Sequence, residues 1–220
     1  MKNRYEINDD ILKYIFYPNK QEVIHYIDTL VIFSERVRKE GLFVIEPEIP
    51  FLEPAYFQLS LQLLMDGAYP DFARDLLLHK KKSLLLEYRD ILKYFFFILT
   101  NLQNSDLSTT SKLYVSSLWI EEEKRNLLIS LPKILIDLQD KWIQKLEVNL
   151  PVQLKEIFVV LNSKLPEDLE KELLDHHRNN MENTRESLLN IFLEGALSIQ
   201  SGENPNKVRE LLYSFLPDKA

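Results

Sequence analysis

Cysteine is absent from the 220 residues, and glycine occurs only four times. The first absence removes disulfides, thiolate nucleophiles and cysteine-based zinc sites. The second leaves few of the turn residues that β-hairpins need. A basic excess is also missing: 27 Lys and Arg stand against 34 Asp and Glu, a formal net charge of -7. A phosphate backbone is bound by clustered cations in excess, so nucleic acid is not an expected partner. Long apolar runs are lacking as well. The longest, ILKYFFFIL from Ile91 and the stretch around Ile157, fall short of the ~20 residues of a membrane-spanning helix. Glu6, Asp9 and Asp10 stand where a secretory signal has a basic start, so the chain is read as cytoplasmic and without an integral membrane span.

What is present is a globular composition, with 45% apolar and 28% charged residues. A chain of this length buries about 70% of its unfolded surface and needs no staple to hold a core. Leu, Glu, Lys and Ile dominate, which predicts an all-α fold, a multi-helix soluble bundle forming one domain over 1–220. Val23, Ile24, Ile27, Leu30 and Val31 form one stripe of an amphipathic helix over 20–39. Pro47, Pro50 and Pro54 mark EPEIPFLEP as an irregular connector, and a helix follows over about 55–65. Asp66-Gly67 is a turn signal. Tyr69-Pro70-Asp71 starts a helix whose basic exit is Lys80, Lys81 and Lys82. From 83 to 178 there is no glycine, and the polar stretch from Asn101 with Pro132, Pro151 and Pro166 divides the region into helical pieces. A helix from Asn183 carries Leu188, Leu189, Phe192, Ala196 and Leu197 on one face and ends near Gly202, which suits the left-handed position after a helix. Asn204 reads as an N-cap with Pro205 at the first helical position, opening a last helix to about Phe215.

The chain contains no Gly-rich phosphate loop, HExxH, nucleophile elbow or EF-hand pattern, so no catalytic residue, metal site or cofactor is assigned. His176 and His177 are adjacent and would point about 100° apart on a helix, which suits solvated side chains better than a metal pair. His25 and His79 stand alone. Three consecutive lysines fall below the clusters that mark anionic-lipid binding. The run from Tyr94 to Phe97 is read as core, because aromatics this dense are normally buried.

The four glycines fall in two regions, Gly41 with Gly67 and Gly195 with Gly202. SERVRKEGLFVIE, residues 34–46, resembles the cytoplasmic signature of the flagellar stator subunit MotA and its MotA/TolQ/ExbB family. FLEPAYFQLSLQLLMDGAYPDFARDLL is similar to that family's next helix, Asp66-Gly67 turn and following helix. FLEGALSIQSGENPNKVRELLYSFLP, with Gly195 and the turn Gly202-Glu203-Asn204-Pro205, resembles its C-terminal tail through Pro217. The resemblance covers roughly half the chain, dividing it into a stator-like segment over 20–90, a divergent helical insert over 91–180 and a stator-like tail over 181–217.

The resemblance implies that Arg38 and Glu46 occupy the places of the stator's functional charges, which meet the rotor switch protein FliG. If the backbone stayed helical, the two would lie about 80° apart around the axis. Where the family has pore-lining helices, this chain has charged segments such as IEEEKRN and DLQDKW, so no ion path is expected. Two non-enzymatic readings result. One is a soluble MotA-like module, monomeric or dimeric, docking by Arg38 and Glu46 on FliG or on the stator complex at the flagellar motor base. The alternative is a scaffold whose divergent middle region mediates self-association or an unrelated contact.

Overall fold

The computed structural model describes residues 10–102, 107–144 and 150–216. Glu6, Asp9, part of the polar stretch after Asn101 and Pro217 lie outside them. The described residues form helices joined by short turns, with no strand: α1 Asp10–Phe16, α2 Lys20–Glu40, a 3₁₀-helix Leu42–Phe51, α3 Ala55–Met65, α4 Pro70–Thr100, α5 Leu107–Ser116, α6 Glu122–Ile143, α7 Val152–Asn162, α8 Glu167–Gln200 and α9 Pro205–Tyr213. None is long and apolar enough to cross a membrane among the described residues.

The chain forms two compact units. One contains Pro18–Leu85 and the residues from Glu182 onward, and so comprises α2, the 3₁₀-helix, α3, the first half of α4, the second half of α8, and α9. Its α2 begins at a capping box: the Glu22 amide donates to Asn19 Oδ1 at 3.0 Å, and the Asn19 amide donates to Glu22 Oε2 at 2.7 Å. The core is centred on three aromatic rings. Phe57 stacks on Phe192 at 4.5 Å, and Tyr26 meets both edge-on at 5.7 and 5.0 Å. Val23, Ile27, Leu30 and Val31 are buried on the inward stripe of α2, and Leu188, Leu189, Phe192, Ala196 and Leu197 on that of α8. Gly195 faces Leu30 of α2, and a Cβ there would lie 2.6 Å from Leu30 Cδ1.

Two expectations about this unit need correction. EPEIPFLEP is not irregular from Glu46 onward, because residues up to Phe51 belong to a 3₁₀-helix that starts at Leu42. Proline φ angles suit 3₁₀ geometry, and Pro47 and Pro50 lack the N–H groups that an α-helix interior would require. Lys80, Lys81 and Lys82 do not form a helix exit, since α4 continues to Thr100. Lys81 instead lies against α8, its ammonium 3.2 Å from Glu186 and donating to Asn190 Oδ1 at 2.6 Å.

The other unit contains the residues up to Tyr17 and Leu86–Met181, hence α1, the second half of α4, α5, α6, α7 and the first half of α8. Tyr94, Phe95 and Phe96 are buried with Leu128, Leu131, Leu135, Ile157 and Phe158, while Phe97 is half-buried and stacks on Tyr114. Pro151 and Pro166 stand just before α7 and α8, whereas Pro132 lies inside α6 and does not divide it. A helical proline leaves the carbonyl four residues earlier without its amide donor. Here that carbonyl belongs to Leu128, and the buried Tyr94 hydroxyl donates to it at 3.1 Å.

Candidate functional site

The candidate surface lies at the C-terminal end of α2 and on the 3₁₀-helix. Gly41 ends α2, donating its amide to Val37 O at 2.9 Å, and adopts φ 91°, a conformation that excludes most side chains. The break removes the continuous helix that would set Arg38 and Glu46 about 80° apart. Arg38 occupies the last turn of α2 and Glu46 the middle of the 3₁₀-helix; both are exposed. Neither makes an ion pair among the described residues.

The structural work at this corner is done by a neighbouring pair. Arg36 donates through Nη2 to Val44 O at 3.0 Å and through Nη1 to the Glu48 carboxylate, with its guanidinium 5.9 Å from the centre of the Phe33 ring. One planar cation thus ties the 3₁₀-helix to α2, the bidentate use for which arginine is suited. Ile45 and Ile49 are buried beneath, while Phe43 and Phe51 stay 71% and 85% exposed. Sequence reasoning missed Arg36 and Glu48. Their spacing carries no pattern, and only the turn at Gly41 brings them together.

The remaining motif residues build helix ends. At the end of α3, the Gly67 amide donates to Leu64 O and the Ala68 amide to Leu63 O, each at 3.1 Å, with Gly67 at φ 71° and Asp66 as the cap. At the end of α8, Gly202 donates to Ile199 O and Glu203 to Ser198 O, again at 3.1 Å, with Gly202 at φ 68°. Both are the paired 6→1 and 5→2 bonds of a Schellman motif. Asn204 then caps α9, accepting from the Asn206 amide at 2.9 Å, with Pro205 at the first helical position. Gln200 links the two ends by donating to Ala68 O at 2.6 Å. α9 is also tied to α2, Arg209 donating to Asp28 at 3.2 Å.

No group of three or more potential metal ligands occurs among the described residues. Asn180 and His176 lie within hydrogen-bond distance at 3.0 Å. His177 is 3.9 Å from Glu156; burial holds its pKa below the ordinary imidazole value, against the opposing pull of that carboxylate. Tyr56 is raised, first by burial and then by the Glu194 charge, and its hydroxyl donates to Leu77 O at 3.0 Å. Arg74 makes a two-pronged contact with Glu194 at 2.7 and 3.0 Å. The Arg74, Tyr56 and His177 contacts join different helices, while the Asn180–His176 contact lies within α8.

No family model matches the chain. It is similar to motility protein A of Borreliella burgdorferi, 26% identical over 211 residues that cover 94% of this chain and 72% of the relative. Its fold is similar to a chain in the structure of C. jejuni MotAB, with a TM-score of 0.51 at 15% identity, covering 96% of this chain and 74% of that one. The likeness to motility protein A therefore extends over nearly the whole chain and includes the divergent middle, not only the segments around the glycines.

Proposed function

We propose that this is a MotA-like protein associated with the flagellar motor, which docks on the motor through the charged corner where α2 meets the 3₁₀-helix. The observation that carries the reading is the presence of two exposed charges of opposite sign with no ion-pair partner among the described residues, Arg38 on α2 and Glu46 on the 3₁₀-helix, two elements that Arg36 ties together. They stand at the positions that the stator resemblance assigns to rotor contacts. The similarity to motility protein A over 94% of the chain supports placing the protein at the motor. The proposed role is docking: among the described residues no helix, α5, α6 and α7 included, is long and apolar enough to cross a membrane.

The rotor switch protein FliG is the proposed partner, with the stator complex as the second target. Rim charges of this kind contribute orientation and association rate more than affinity. The test is binding of purified FliG to the wild-type protein and to the double variant Arg38→Glu, Glu46→Lys. Loss of binding in the variant, and weakening of the wild type as salt rises, is the expected result. Equal affinity in both proteins overturns the assignment. The second reading is a scaffold whose divergent middle region mediates self-association or an unrelated contact; Tyr94, Phe95 and Phe96 are buried in the core and would take no part in it, whereas Val152 and Val159 of the same region are exposed.

A further inference from the structure

α6 turns Leu128, Leu131, Leu135 and Leu138 into the core, yet its outer side is not polar throughout. Ile129, Ile136 and Ile143 stand seven residues apart and stay 39%, 39% and 52% exposed. Lys133 and Asp140 fall between them, both exposed and neither in an ion pair among the described residues. The five positions follow the alternating steps of four and three that make a coiled-coil seam, a stripe about 21 Å long on a straight helix. Isoleucine at an exposed helix position forgoes the helix propensity of Lys or Glu and leaves apolar surface in water. Three in register form a stripe that gains by being covered.

The placement of the two charges selects the occupant. Lys133 lies three residues before Ile136 and Asp140 four after it, about 4.5 and 6 Å along the axis in opposite directions. A second copy of α6 laid antiparallel about a two-fold axis at Ile136 brings Lys133 beside Asp140 of that copy, and symmetry forms the reverse pair as well. The same axis sets Ile136 against its own counterpart and Ile129 against Ile143. Asp137, at the edge of the stripe, already carries Lys141 at 2.6 Å, so the axis brings no unpaired carboxylates together there. Parallel pairing would place Lys133 on Lys133 and Asp140 on Asp140, like charge on like. We infer that this side of α6 is a self-docking surface, on which a second copy of the chain packs antiparallel through the three isoleucines and two Lys133–Asp140 pairs. It involves neither Arg38 nor Glu46, so it is tested separately from motor docking. Five seam residues a side make a contact at the small end of specific interfaces, a transient dimer with a Kd on the order of 10–100 µM.

Sedimentation equilibrium of the full chain, from about 1 µM to about 0.5 mM, should show monomer and dimer in exchange. Ile136→Lys, which sets two ammonium groups at the two-fold axis, should raise Kd about tenfold or more. Lys133→Asp or Asp140→Lys alone should raise it about fivefold, since each puts like charges into both pairs, whereas the two together should restore wild-type dimerisation. The replaced side chains are exposed, so an unchanged circular dichroism spectrum is expected throughout. Because the chain has no cysteine, Ile129→Cys mixed with Ile143→Cys should form a disulfide cross-link, and Ile129→Cys alone should not. A monomer at every concentration, a dimer indifferent to Ile136→Lys, a charge swap that fails to restore it, or cross-linking of Ile129→Cys alone overturns the proposal. So does a monomeric chain in which lipid vesicles or purified FliG shield a label at Ile129→Cys, a result that gives the face to another occupant.

Discussion

Replacing Gly195 by alanine tests how closely α8 packs against the Leu30 side chain of α2. Two effects of opposite sign compete. In an exposed helix interior, alanine in place of glycine stabilises by about 1 kcal/mol. At Gly195 the new Cβ would stand 2.6 Å from Leu30 Cδ1 and 3.0 Å from Cδ2, and Leu30 is itself fully buried, so its side chain must shift within the core. Overpacking of this kind costs about 1–3 kcal/mol. The net expectation is a destabilisation of about 1 kcal/mol, or a Tm lower by about 2–4 °C for a chain of this size. Thermal unfolding followed by circular dichroism measures it. The cause is isolated by adding Leu30→Ala, which alone removes buried volume at a cost of about 2–5 kcal/mol. Since the shortened side chain accommodates the new methyl group, the double variant should lose less than the sum, with a coupling of about 1 kcal/mol. A rise in Tm for Gly195→Ala, or strict additivity, would refute the reasoning.

Two further predictions rest on other contacts. Arg36→Ala should loosen the 3₁₀-helix, seen as faster amide hydrogen exchange over residues 42–51, whereas Arg38→Ala, with no ion-pair partner among the described residues, should leave both exchange and stability unchanged within about 0.5 kcal/mol. The buried Tyr94 phenol has its pKa pushed up to about 12 by burial, against a hydrogen-bond effect from Ser111 that lowers it. Its folded pKa exceeds the unfolded value near 10, so its contribution to stability is complete below pH 10 and declines as pH rises toward 12. Tyr94→Phe should flatten that decline in alkaline denaturation and, by leaving Leu128 O without a donor beside Pro132, lower stability at neutral pH by about 1 kcal/mol.

Much of the architecture was legible because it depends on neighbours along the chain. The span of α3, the cap at Asn204 with Pro205, and the glycine turns after α3 and α8 are local: each places a hydrogen-bonding or conformationally free residue within a few positions of the helix end it completes. The apolar stripes of α2 and α8 are equally local, since helical periodicity alone brings Val23, Ile27 and Leu30, or Leu188, Phe192 and Ala196, to one side. The stator resemblance was carried by these same turns.

Other features depended on residues far apart in sequence. Pro132 sits inside α6 because Tyr94, 38 positions earlier, supplies the donor that the proline cannot. Lys80, Lys81 and Lys82 do not end α4, where Lys81 finds Glu186 and Asn190 across on α8. The 3₁₀-helix is held by Arg36, and the exposed charges Arg38 and Glu46 flank a pair that composition did not distinguish from them. Helix type, the inward faces and the helix ends next to the glycines and at Asn204 follow from torsional preference and periodicity, whereas α8 begins at Glu167 and not near Asn183, and α4 runs on past its lysines to Thr100. Which proline is tolerated, which lysine is paired and which arginine is structural were decided only in the tertiary structure, because each depends on a donor, acceptor or void supplied by a distant segment.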